Sequence, residues 1–204
     1  MNPPRARTLA LALALGWGAL VVGGLAALDR YALTPGPVAA ARVERVSDAS
    51  LRAPDGRLAL HVFAHPRCPC TRATLSELER LMARVGDRVA VTVWFRADDD
   101  AWRETATARR ALAIPGLRVE ADPRGARAAR AGARTSGEVV AVDASGNVRF
   151  RGGITPARGH EGDNEGRRAL EALARSITTP SPAGRSLVAH AYGCALHDPS
   201  SRTR

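Results

Sequence analysis

The stretch TLALALALGWGALVVGGLAAL, Thr8 to Leu28, runs without a charged side chain, and it constrains the chain more than any other feature. The hydrocarbon core of a bilayer is crossed by about 20 apolar residues in a helix, and a single segment in lipid satisfies its backbone polar groups only as a helix. Residues 1–30 therefore read as a cytoplasmic stub and a transmembrane anchor. Arg5 and Arg7 precede the run while Asp29 and Arg30 follow it, so the positive-inside tendency leaves the N-terminus in the cytoplasm and exports the rest. The expected location is the inner membrane, single-pass, with the C-terminal domain in the periplasm. A cleaved signal peptide is the competing reading, but its apolar region is usually about 7–15 residues long and ends at a small-residue site. The small residues of PVAAA, Pro37 to Ala41, lie well beyond the run. Under either reading the domain meets an oxidising compartment, where a cysteine pair can exist as a disulfide.

The chain has 204 residues, which leaves one domain of ordinary size outside the membrane. Its formal charge is +10, from 30 basic residues, all of them Arg, against 20 acidic ones. Clustered basic charge would raise nucleic acid as a partner. Here the arginines are scattered, and three Phe, two Tyr and three Trp supply no stacking platform for bases. No nucleic-acid partner is expected.

Residues 31–57 are punctuated by Pro and Gly and read as a linker with a short strand or turn of its own. From residue 58 to 177 strand-like and helix-like patterns alternate. LALHVFA (Leu58 to Ala64) has strand length, and CTRATLSELERLMARVG (Cys70 to Gly86) carries Leu75, Leu78, Leu81, Met82 and Val85 at helical spacing. VAVTVWF (Val89 to Phe95) is a second strand, and Asp100 to Ile114 a helix ended by Pro115-Gly116. LRVEAD is a third strand, PRGARAARAGA a short helix, EVVAVDASGNVRFRGG a hairpin through ASGN, and Asn164 to Ile177 a closing helix. This order predicts an α/β fold, a mixed sheet flanked by helices. Residues 178–204 form a proline-containing tail with the third cysteine, Cys194.

HPRCPC, His65 to Cys70, falls at the junction of the first strand and first long helix. The first turn of a helix exposes unpaired N–H groups and a partial positive charge, which lowers the pKa of a thiol placed there. Pro69 suits the first helical position and turns Cys68 away from helical angles. Cys68 is then expected to be the exposed nucleophile, Arg67 beside it to favour the thiolate, and Cys70 to be the more buried resolving thiol.

The run VFAHPRCPC followed by a helix resembles the active-site strand, loop and helix of the thioredoxin superfamily. The segment ADPRGARAARAGARTSGEVVAVDASGNVRFRGG is similar to the second half of membrane-anchored members of the TlpA and ResA type, and the whole chain resembles the RedB-labelled group with a Cys-Pro-Cys site. The resemblance implies a thioredoxin-like fold and a periplasmic thiol-disulfide oxidoreductase that acts on protein thiols and disulfides without a cofactor. Two features depart from the superfamily. A single residue separates Cys68 from Cys70, so a disulfide between them closes only with strain and is labile. Ser136 and Gly137 stand where the superfamily has a proline that docks substrate and keeps metals off the sulfurs, which makes them the substrate-contacting pair and raises a metal alternative.

That alternative is copper binding or delivery of the Sco kind by Cys68, Cys70 and His160, the last in the loop from Gly152 to Gly166; two thiolates and an imidazole suit Cu(I). The plain reading of His160 is a solvated loop residue before a helix capped by Asp163 or Asn164. His65 tunes or shields Cys68. Cys194 can resolve a mixed disulfide with Cys68, join a metal site with His190 or His197, or be a small buried residue. Asp98 to Asp100 and Glu104 read as a helix N-terminus, and Trp94 and Trp102 as packing groups. A hydrolase triad, a P-loop and a dinucleotide fingerprint are absent from the sequence.

Overall fold

The computed structural model describes residues 3–39, 43–54, 57–176 and 186–196; Ile177, His197 and the proline-rich start of the tail lie outside them. The chain divides into two compact units, Met1–Thr34 and Pro35–Arg204. The first is a single helix, α1 (Pro3–Ala32). Within it Ala6–Ala32 holds an 18-residue window with a mean hydropathy of 2.1, none of it buried, so the helix is long and apolar enough to cross a membrane.

The second unit is built on a six-stranded sheet: β1 (Leu58–Ala64), β2 (Val89–Arg96), β3 (Arg118–Asp122), β4 (Glu138–Val142), β5 (Val148–Gly152) and β6 (Leu187–Val188), in the order β3-β2-β1-β4-β5-β6. β1, β2 and β3 are mutually parallel, β4 is antiparallel to β1 and to β5, and β6 is parallel to β5. Helices α2 (Cys70–Val85), α3 (Ala106–Leu112), α4 (Ala126–Ala131) and α5 (Glu165–Ser176) flank the sheet. This is the mixed α/β sheet flanked by helices that the sequence predicts.

β1 is buried along its whole length because it lies mid-sheet with both faces covered. Leu58, Leu60, Val62 and Ala64 enter one apolar cluster with Leu75, Leu78 and Leu81 of α2. Phe63 enters the cluster on the opposite face, with Trp94, Ala128 and Val140, as a period of two requires. His61 shares that second face.

Local chemistry shifts several expected elements. The helix expected over 100–114 is two pieces, a 3-10 turn (Asp100–Glu104) and α3. Thr105 interrupts them in an extended conformation, and its hydroxyl caps the N–H of Ala108. In the PRGARAARAGA segment Arg124 and Gly125 adopt positive φ, and the Asp122 carboxylate caps α4 at the N–H groups of Arg127 and Ala128 (2.8 and 2.9 Å). Asn164, rather than Asp163, caps α5 by accepting from the N–H of Arg167 at 2.8 Å. Residues 43–54 contribute Val46 and Leu51 to the second cluster, and the C-terminal segment adds β6 and buries Leu196.

Candidate active site

The three cysteines meet at the C-terminal end of β1, where their sulfurs all lie within 4.8 Å of one another. The loop that delivers the first two is stitched to its surroundings. The Cys68 N–H donates to the His65 carbonyl at 3.0 Å, and the Thr71 N–H to the Cys68 carbonyl at 3.1 Å. Pro69 has helical dihedrals (φ −64°, ψ −27°) but occupies the N-cap position without a side-chain cap bond, one place earlier than the first helical position expected for it, and Cys68 sits just before the helix entrance.

Ser136 and Gly137 lie against this loop. The Ser136 hydroxyl accepts from the His65 N–H at 2.9 Å and pairs with the Thr71 hydroxyl at 3.1 Å. The Gly137 N–H donates to the Phe63 carbonyl at 2.7 Å. Gly137 has φ +90°, and a Cβ there would lie 2.6 Å from Thr74 Oγ1, so a side chain is excluded both by conformation and by space. Both residues are buried, so as the structure stands they support the cysteine loop from beneath.

Cys194 arrives from the C-terminal segment. The Ser136 N–H donates to the Cys194 carbonyl and the Leu196 N–H to the Arg134 carbonyl, each at 2.8 Å, with Thr135 and Ala195 forming an antiparallel bridge. The segment is further tied by Gly153 N–H to the His190 carbonyl at 3.2 Å and by the Arg158 guanidinium to the Gly193 carbonyl. The Cys194 thiol donates to Cys68 Sγ at 3.2 Å.

Electrostatics separates the three thiols. Burial pushes Cys68 up, but hydrogen bonds from the Cys194 backbone and thiol, the Ser136 hydroxyl and the Cys70 backbone outweigh it and leave Cys68 below the ordinary thiol value. Cys70 is raised by burial and by the negative charge that Cys68 carries. Cys194 is pushed up to about 12 by burial, by its hydrogen bond to Cys68 and by the same charge; Arg158 opposes this. Of the three thiols, Cys68 is thus the one that ionises most readily.

Cys68, expected to be exposed, is buried along with Cys70. Cys68 is 2% exposed and Cys70 8%, because the Cys194 segment covers Cys68; Cys194 itself is partly exposed. Arg67 is exposed on the rim, its N–H on His65 Nδ1 at 3.2 Å. Burial above all, and then the positive charges of Arg96 and Arg67, keep His65 below its usual pKa. The cation that faces Cys70 and Cys194 is Arg158. His160 is exposed, with Nδ1 on the Arg158 carbonyl at 2.8 Å, and is not among the ligand-bearing groups that gather with the sulfurs. Cys194 stands where the copper alternative expected His160. Pairing with Cys68 is one of three roles open to Cys194 in the sequence, and the apolar residues Leu187, Val188, Ala191 and Leu196 are the signal that its segment packs back on the domain. Trp94 and Trp102 are packing groups, with the guanidinium of Arg127 4.4 Å from the Trp94 ring centre and that of Arg103 4.7 Å from the Trp102 ring centre.

A cleft of about 230 Å³ opens beside the loop, lined by His65, Arg67, Arg96, Asp99 and Trp102. A larger hollow of about 1040 Å³ lies at the opposite end of the sheet, around Ala59, Val89 and Gly116, and contains no cysteine.

No protein-family model matches the sequence, and no curated protein matches it. Among solved structures, a hypothetical protein from Sinorhizobium meliloti is similar at a TM-score of 0.55 and 20% identity, over 80% of this chain and 93% of that one. An uncharacterized conserved protein from Geobacillus kaustophilus is similar at a TM-score of 0.55 and 16% identity, over 82% and 94%. A secreted Mycobacterium tuberculosis disulfide oxidoreductase homologous to E. coli DsbE has a TM-score of 0.43 and 18% identity over 63% and 85%. The first two likenesses concern the fold.

Proposed function

We propose that the protein is a thiol-disulfide oxidoreductase in which the Cys68 thiolate is the attacking or departing sulfur and a neighbouring thiol resolves the intermediate. The observation that carries this reading is the placement of Cys68 at the entrance of α2, held below the ordinary thiol pKa by donors from Cys194, Ser136 and Cys70. A thiolate is both the nucleophile and the better leaving group in disulfide exchange, and a second thiol within 4.8 Å can release a mixed disulfide within the same molecule. The chemistry needs no cofactor. Its substrates are protein thiols and disulfides, and α1 anchors the domain in the inner membrane so that it works in the periplasm. The Cys-Pro-Cys sequence and the likeness to the RedB group support the same reading.

A second reading, copper binding, is favoured by the convergence of three soft ligands, Cys68, Cys70 and Cys194. Thiolates select Cu(I), and Cys194 takes the part expected of His160.

Thiol titration of the full-length, detergent-solubilised protein across a glutathione redox series, with and without one equivalent of Cu(I), separates the two. A single two-electron couple with weak copper binding is the expected result. Tight copper binding that protects the thiols, with no intramolecular disulfide at any poise, overturns the oxidoreductase reading in favour of copper.

A further inference from the structure

The resolving thiol that the sequence points to is Cys70. The geometry points elsewhere: we propose that the redox couple of the site is Cys68–Cys194, formed between the α2 entrance and the C-terminal segment, and that partner thiols reach it at Cys194. The inference rests on the oxidoreductase reading above and names its working pair and its point of entry.

Three observations carry it. The first is contact: Cys194 Sγ is 3.2 Å from Cys68 Sγ, so the bond, about 2.05 Å in a disulfide, forms by a shift of about one ångström. The second is delivery. Residues 194–196 are paired with 134–136 by two backbone hydrogen bonds of 2.8 Å on either side of the Thr135–Ala195 bridge, and Leu196 next to them is 1% exposed. Cys194 is therefore held at the site by the fold, within reach of Cys68. The pair also avoids the one-residue ring that a Cys68–Cys70 disulfide must close, whose Cys70 is fixed in the first turn of α2. The third is access. Cys68 is 2% exposed and Cys70 8%, while Cys194 is the partly exposed sulfur of the three.

Access decides which sulfur a partner attacks. In the oxidising direction a thiolate of a partner dithiol attacks Cys194 Sγ; the Cys68–Cys194 bond breaks, and its electron pair leaves on Cys68 Sγ. The partner's second thiolate then attacks its own sulfur in the mixed disulfide, and the pair on that bond leaves on Cys194 Sγ, which takes up a proton. The partner dithiol has become a disulfide, and two electrons have passed to Cys68 and Cys194. In the reverse direction a partner disulfide receives the same two electrons from the Cys68/Cys194 dithiol. Cys70 stays outside the couple.

The test is disulfide mapping of the full-length protein in detergent after equilibration in oxidised and reduced glutathione, alkylation of remaining thiols and trypsin digestion. Cleavage after Arg67 and Arg72 isolates residues 68–72, and cleavage after Arg185 and Arg202 isolates residues 186–202. In the wild type the two peptides are expected to be joined. In Cys70→Ser the join must persist, and there it is between Cys68 and Cys194 alone; in Cys194→Ser it must vanish. Loss of the disulfide in Cys70→Ser, with an internally oxidised 68–72 peptide in the wild type and in Cys194→Ser, overturns the inference and leaves the oxidoreductase reading standing with Cys70 as the partner. A protein that forms no intramolecular disulfide in any of the three overturns both. Because Cys70→Ser leaves the C-terminal segment intact, its result does not depend on whether Cys194→Ser folds.

Discussion

His61 shows how one residue couples the core to pH. It is 3% exposed, its Nδ1 accepts from the Trp94 indole N–H at 3.0 Å, and its Nε2 meets the Leu51 carbonyl at 2.8 Å. The indole can only donate, so the ring is neutral with its proton on Nε2, and a second proton would face that indole N–H. Burial accordingly lowers the pKa from 6.5 to about 4. As pH falls the unfolded chain takes up this proton first, so the stability contributed by neutral His61 is complete above about pH 6.5, is lost progressively down to about pH 4, and changes no further below that. The loss amounts to about 3 kcal/mol. Urea midpoints of the wild type at pH 7 and pH 4.5 should differ by more than those of His61→Gln, whose amide can accept from Trp94 and donate to Leu51; equal pH dependence in the two would show that His61 is not held neutral. At the same scale Cys68→Ser should abolish thiol-disulfide exchange, since it removes the one thiol of the three held below its ordinary pKa, and exchange with a small aromatic disulfide reads this directly.

Between elements, the join of α2 to α5 is ionic and buried. Glu77 on α2 is fully buried and accepts from Arg167 Nε at 2.8 Å and from the Gly162 N–H at 2.8 Å, while Arg167 Nη1 reaches Glu171 at 2.6 Å. Removing one partner of such a network strands the others without water, so Glu77→Ala should cost about 3–5 kcal/mol, measured as a fall in the urea midpoint at unchanged slope; a loss under about 1 kcal/mol would mean that water reaches Arg167. The seam that holds the C-terminal segment depends on space instead of charge. A Cβ on Gly193 would lie 2.0 Å from the Ser136 carbonyl oxygen, so Gly193→Ala must lift the segment from Ser136. With a loss of about 1–3 kcal/mol, usual for a destabilising substitution, the opened population rises about 5- to 150-fold. Alkylation of Cys68 in the reduced protein should accelerate by that factor. An unchanged rate would mean that Cys68 is reached by a route other than the opening of this segment.

At the scale of the whole molecule, what the sequence disclosed and what it withheld divide along the range of the interactions. The strand, loop and helix around Cys68 were legible because the β-branched run before it and the leucine spacing after it are local patterns, and the order of elements constrains how a sheet can be assembled from them. The break at Thr105 is a cap on Ala108 only three residues on, set within a run whose spacing reads as one helix, whereas the burial of Cys68 and the exchange of His160 for Cys194 depend on partners far along the chain; Cys68 and Cys194 are 126 residues apart. A segment with few apolar residues reads as a tail, yet once β5 offers an edge it gains backbone hydrogen bonds as well as burial, with Ala189 N–H donating to the Arg151 carbonyl at 3.0 Å. The C-terminal segment is on this argument part of the domain's stability as well as of its site. Leu196, packed with Phe63, Trp94 and Val148, should lose about 2–5 kcal/mol on replacement by Ala. A chain ending at Ser176 forfeits that burial together with β6, and it should melt below Leu196→Ala while leaving Cys68 open to alkylation. If the shortened chain instead melts with the wild type and keeps Cys68 protected, the segment contributes neither stability nor cover, and Cys194 loses its claim to be built into the site.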